Sequence, residues 1–107
     1  MDRHAWVARL REGMLDEYVK RHDEIWPEMT QMLNEAGIYN YTIWNIDNML
    51  VGYYECDDLS YALKYQAESE IDRAWSKYML DVLEPYKTAE GKDPVVQQVF
   101  LHQGKQK

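Results

Sequence analysis

Tyr18-Val-Lys-Arg-His-Asp-Glu-Ile-Trp-Pro-Glu-Met29 decides how the chain is read. Around it, from about 14 to 36, apolar side chains recur at Met14, Leu15, Tyr18, Val19, Ile25, Trp26, Met29, Met32, Leu33 and Ala36. This is the 3.6-residue period of a helix with one buried face. His22 falls in register with the apolar positions, and Pro27 falls in the middle. Proline has no N–H to donate and disfavours α geometry at the residue before it. The stretch therefore predicts two helical pieces, broken near Glu24 to Trp26. Pro27 opens the second, and Gly37 stops it.

The flanks then read as strands. Residues 4–11, HAWVARLR, alternate. Residues 39–46, YNYTIWNI, and 49–56, MLVGYYEC, are β-rich and separated by Asp47-Asn48, a tight-turn pair. Residues 59–68 and 70–84 read as helix with a break near Ser69, and Asp57 and Asp58 stand ready to cap the first. PYKTAEGKDP reads as a loop and residues 95–102, VVQQVFLH, as the last strand. The order β-α-β-β-α-β is that of an α+β, ferredoxin-like protomer. Helices cover one sheet face, so the other needs a cover. A second copy supplies one economically, which predicts a homodimer and a closed dimeric α+β barrel. One domain spans residues 1–107, with a polar tail from about 103.

Composition narrows the function. The chain has 107 residues, 46% of them hydrophobic, and a formal net charge of −7. That charge argues against a nucleic-acid or anionic-membrane partner. No apolar run is long enough to span a membrane, and the charged start MDRHAWVARLREG lacks the apolar core of a secretory leader. A single cysteine, Cys56, forms neither an internal disulfide nor a cysteine-based zinc site, which fits the cytoplasm. Nine Tyr and four Trp stand against one Phe, a bias towards side chains with one apolar face and one polar tip.

Tyr18 and His22 are four apart and share a helix face. That spacing fits a histidine satisfied inside a core. It equally fits one that opens into a pocket and exchanges protons near neutrality. Tyr39, Tyr41, Ile43 and Asn45 share one strand face, and Met49, Val51, Tyr53 and Glu55 share one face of the partner strand. Strand register decides whether the two sets meet. Trp75, Tyr78, Met79 and Val82 form a helical stripe, either core or, at its edge, a platform for the C–H face of a sugar. His4, His22 and His102 lie on separate elements. No phosphate loop, HExxH or GxSxG motif is present.

EYVKRHDEIWPEM, NYTIW, GYYE, WSKYMLDV and VVQQVFLH together resemble the L-rhamnose mutarotases, from about residue 4 to 102. The resemblance implies a dimeric α+β barrel in cytoplasmic sugar catabolism. It implies interconversion of the α and β anomers of a free 6-deoxy-hexose with no metal or organic cofactor. It gives His22 the role of proton donor and makes Tyr18, Tyr41 and Trp75 sugar contacts. The second proton-transfer group stays open between Tyr18, a carboxylate such as Glu55, and water. Family members often carry Trp-Trp where this chain has Trp75-Ser76, which puts L-fucose beside L-rhamnose as a substrate. The fold alone leaves two rivals: a small heme-binding or cofactor-free monooxygenase, and a non-catalytic sugar-binding module.

Overall fold

A computed structural model describes residues 1–105. The elements are β1 (Asp2–Leu10), α1 (Leu15–Asp23), α2 (Pro27–Glu35), β2 (Ile38–Ile46), β3 (Met49–Cys56), α3 (Leu59–Ala67), α4 (Glu70–Tyr78) and β4 (Leu83–Glu84). The four strands make one antiparallel sheet in the order β2-β3-β1-β4, the ferredoxin-like order.

The break at Pro27 is where the sequence puts it. Trp26 has φ −62° and ψ 134°, the extended geometry expected before proline, and Pro27 is the first helical residue of α2. Gly37, at φ +75°, ends α2 with its N–H on the Asn34 carbonyl. Asp58 caps α3 by accepting from Tyr61 N–H at 3.2 Å, and Ser69 caps α4 by accepting from Asp72 N–H at 3.2 Å.

Alternation sorts the sheet into two faces. Leu50, Gly52, Tyr54 and Cys56 of β3 are buried under the helices, while Met49, Val51, Tyr53 and Glu55 point the other way and are only half-buried. Two adjoining cores form on the helix face. One gathers Leu10, Tyr18, Met29, Met32, Leu50, Trp75, Met79 and Val82, and the other Ala36, Ile38, Tyr54, Cys56 and Ala62.

Two expectations are corrected. The last helix ends at Tyr78, not at residue 84. Arg21 of α1 donates to the Tyr78 carbonyl at 2.7 Å and takes both oxygens of Asp81 at 2.9 and 3.2 Å, securing the chain as it leaves α4. Met79 and Val82 are still buried, but from a turn: apolar spacing reports burial and cannot distinguish a helix from a helix followed by a turn. The strand at 95–102 is also absent. The fourth strand is the two-residue β4, paired with Arg9 and Leu10. Val95, Val99 and Phe100 are 88%, 90% and 79% exposed. A strand needs a neighbour for its hydrogen bonds, and among the described residues none pairs with this segment. Of the polar tail, residues 103–105 are exposed and 106–107 lie outside the described residues.

Candidate active site

The site begins with a bulge in β2. Tyr39 pairs with Glu55, but Thr42 pairs with Tyr53, so Asn40 and Tyr41 stand opposite Tyr54 alone. Asn40 adopts φ +49°, which asparagine tolerates better than most residues. A bulge residue shifts the alternation by one position. Tyr39 therefore stays on the open face, while Tyr41 joins Ile43 under the helices. The register question raised by the hairpin is thus settled. Tyr41, Ile43 and Asn45 lie on the face of Leu50, Gly52 and Tyr54, not with Met49, Val51 and Tyr53.

Tyr41 is held from across the sheet. Trp6 of β1 pairs with Gly52 of β3, and its indole N–H donates to the Tyr41 hydroxyl at 2.8 Å. The indole lies directly over Gly52: a Cβ there would come within 2.0 Å of the Trp6 ring. Only glycine lets Trp6 cross β3 to reach β2. Because the Tyr41 oxygen already accepts, its proton remains available to donate. Burial pushes the Tyr41 phenol well above its ordinary range and the Tyr18 phenol up to about 12. Both tyrosines are therefore neutral donors at physiological pH.

His22 faces this assembly from α1. Its Nδ1 lies 2.9 Å from the Tyr18 carbonyl oxygen. A carbonyl only accepts, so Nδ1 carries the proton and Nε2 is the nitrogen left for chemistry. The imidazole lies against the Tyr18 ring at 4.2 Å and meets Trp75 edge-on at 5.4 Å. Trp75 is in turn met edge-on by Trp26 at 5.0 Å, and Trp26 stacks on Tyr78 at 5.2 Å.

Three adjoining cavities of about 280, 300 and 230 Å³ surround these groups, and His22, Tyr41 and Ile43 line all three. Tyr18 lines two of them and Trp75 two. The four candidate residues named from the sequence are thus brought together. Trp75, at 9% exposure, is both a core residue and a cavity wall. Ile25, at the Pro27 break, lines the first cavity, whereas Trp26 braces Trp75 from outside the three cavities.

Other candidates fall elsewhere. Glu55 lies on the opposite sheet face, accepting from Asn40 at 2.8 Å and Tyr53 at 2.8 Å, bonds that hold its carboxyl below the usual range. It is not available to a sugar beside His22. His4 packs on Tyr54. Among the described residues, no three His, Cys, Asp or Glu side chains gather as a metal site would require. Sequence reasoning missed Trp6, Gln66 and Asp72, of which the last two line the first cavity. Helical spacing held a signal for Asp72, three residues before Trp75 and so on the same face of α4.

The chain is similar to known proteins in sequence and in fold. The family model for L-rhamnose mutarotase matches residues 3–102. The L-rhamnose mutarotase of Lachnoclostridium phytofermentans is 44% identical over 86 residues, covering 78% of this chain and 82% of that protein. The enzyme of Jannaschia sp. is 32% identical over 108 residues, covering 94% and 97%. The crystal structure of L-rhamnose mutarotase from Formosa agariphila superposes with a TM-score of 0.77 at 26% identity, covering 96% of this chain and all of that one. Tetracenomycin F2 cyclase from Streptomyces glaucescens, at 18% identity and a TM-score of 0.64 over 95% of this chain, shares the fold. The chain belongs to the L-rhamnose mutarotase family.

Proposed function

We propose that the protein interconverts the α and β anomers of free L-rhamnose, with His22 as the proton-transfer group. The observation that carries this reading is a histidine whose Nδ1 is fixed on a backbone carbonyl while the ring lines a cavity shared with Tyr41. Anomer exchange needs one proton delivered to the ring oxygen and one removed from the anomeric hydroxyl. The C1–O5 bond breaks, C1 becomes an aldehyde and O5 a hydroxyl. Rotation about C1–C2 and reclosure give the other anomer, and the protons return. Nε2 of the imidazolium donates to O5 and recovers that proton on closure. The anomeric proton passes to water, since the buried Tyr18 and Tyr41 phenols keep their own. Tyr41 donates to a sugar hydroxyl, and Tyr18 and Trp75 offer apolar faces to the ring.

Family membership selects this reading over the monooxygenase and the binding module. Saturation-transfer NMR on L-rhamnose and L-fucose tests it directly. Magnetisation should pass between the anomeric protons faster with protein than without. Sugar bound without added exchange would instead establish a binding module.

The working unit in this proposal is a cytoplasmic homodimer, each protomer one domain of residues 1–107. The open sheet face supports it. Trp44 and Ile46 are 68% and 66% exposed there, beside half-buried Val51 and Met49. Apolar surface of this kind, shared by the paired strands β2 and β3, is characteristic of an interface. Sedimentation at micromolar concentration should give about twice the 12.8 kDa chain mass. A monomer at that concentration would overturn the barrel.

A further inference from the structure

On the α4 side of the first cavity lies a carboxylate with no partner. Asp72 is the third residue of α4, and its place there suggests a capping box, in which its carboxylate would reach back to the N–H of Ser69. It does not: the Ser69 N–H donates to the Gln66 carbonyl at 3.1 Å. Ser69 accepts from the Asp72 backbone N–H, but no hydrogen bond or ion pair among the described residues uses the Asp72 carboxylate. The side chain is half-buried and lines the same cavity as His22, Tyr41 and Trp75.

Gln66 of α3 reaches the same cavity. Its Nε2 is engaged, donating to the Ala62 carbonyl at 3.1 Å and to the Tyr54 hydroxyl at 3.3 Å. A backbone carbonyl accepts only, so this amide orientation is chemically fixed and Oε1 is left as a free acceptor. The rest of that wall is apolar, with Ile25, Met29 and Leu33 from α1–α2. Both acceptors reach solvent through the cavity, so a ligand that displaces that water must supply hydrogens in its place.

We infer that Asp72 and Gln66 form a hydroxyl-binding subsite, accepting hydrogen bonds from a sugar hydroxyl remote from the anomeric carbon and so selecting the sugar's stereochemistry. This rests on the mutarotase reading and adds to it a group outside the proton transfer. Burial raises the Asp72 carboxyl above the ordinary aspartate range, and the charge of Arg73 offsets this only in part. It is still the stronger acceptor of the two, and a hydroxyl donor is what it lacks.

The test compares wild type with Asp72→Ala, Asp72→Asn and Gln66→Leu in the NMR exchange assay, after circular dichroism shows each variant folded. The substrates are L-rhamnose and analogues each lacking one further ring hydroxyl. Asp72→Ala should raise KM for L-rhamnose about ten- to hundredfold, the scale of a lost charge-assisted hydrogen bond, with kcat within about threefold. Asp72→Asn, which keeps an acceptor oxygen and the side-chain shape, should recover part of that loss. One analogue should bind wild type and Asp72→Ala alike, because the hydroxyl that Asp72 reads is already gone. An unchanged KM in folded Asp72→Ala and Gln66→Leu overturns the subsite. A fall in kcat with KM unchanged overturns it too, since Asp72 would then move a proton. Failure of wild type to exchange either anomer of any of these sugars removes the mutarotase reading itself, and the subsite with it. Exchange by wild type with insensitive variants removes the subsite alone.

Discussion

The two faces of the sheet are built from the same residue types and have opposite fates. On the helix face Trp6, Tyr41 and Tyr54 have both ring and polar tip accounted for: Trp6 donates to Tyr41, and Gln66 donates to Tyr54. On the open face Trp44 and Ile46 stand in solvent at 68% and 66% exposure. Alternation alone would have put Tyr41 with Tyr39 on the open side. One extra residue at Asn40–Tyr41 sends it to the other side. The lesson is that the cavity owes its polar floor to a local break in the strand pattern, whereas the open face is simple alternation. A sheet face that obeys the pattern marks where something packs, and the place where the pattern slips marks where chemistry is assembled.

The largest expected effect breaks the helix face at its chemistry. His22→Ala should lower anomer exchange by about 10²–10⁴-fold, the usual contribution of a general acid–base group. The fold should survive, because His22 is only half-buried and its one hydrogen bond is to a carbonyl four residues back. Saturation transfer at matched protein concentration reads the rate, and circular dichroism reads the fold. A folded variant exchanging at the wild-type rate would make His22 a packing residue. The face comparison would then lose its functional half.

That prediction was legible in the sequence, and the reason is physical. Tyr18, His22, Ile25 and Met29 lie on one element, where a fixed angular step fixes which side chains share a face. Pro27 announces its own break through a missing N–H. The elements up to Tyr78 follow the same logic. What was not legible depends on contacts between elements. No local pattern tells that Glu55 lies on the sheet face opposite Tyr41 and His22, because that follows from the strand pairing and from the bulge at Asn40–Tyr41 in the paired strand. The 95–102 segment has β composition, but composition does not supply a neighbour, and the two-residue strand at Leu83–Glu84 has too little length to carry a period. Asp72 reads as a helix-start residue until the Ser69 N–H is seen to go elsewhere.

A smaller effect sharpens the comparison at its hinge. Gly52→Ala places a Cβ where the Trp6 indole lies. The ring must move, and with it goes the bond that holds Tyr41. Overpacking of this kind typically costs about 1–3 kcal/mol, measurable as a lowered denaturant midpoint. Exchange should fall severalfold as well, because a displaced Tyr41 no longer presents its proton to the cavity. Trp6→Phe removes the same hydrogen bond without the clash. It should reproduce much of the loss in exchange with less loss of stability. If Gly52→Ala lowers stability and leaves exchange untouched, Tyr41 is part of the core and not of the site.

The smallest effect lies at the mouth of the cavity. Ser76 is exposed, yet it lines the third cavity with Trp6, Tyr18, His22, Tyr41 and Trp75. It follows Trp75 by one residue, about 100° around α4, so the buried indole and the exposed hydroxyl present different sides of one helix to the same space. Where the resemblance leads one to expect a second indole, serine leaves room and a hydroxyl. Ser76→Trp should fill that room with apolar surface and shift the ratio of exchange rates towards L-rhamnose over L-fucose. Contact changes of this size at a pocket margin are worth ~1–3 kcal/mol at most, and an exposed position should deliver the lower end. The same assay on both sugars reads the ratio, and stability should hardly change because the helix surface tolerates the ring. A ratio that does not move would show the substrate lying deeper, against Asp72 and Gln66. Substrate choice would then belong wholly to the interior of the helix face and not to its rim.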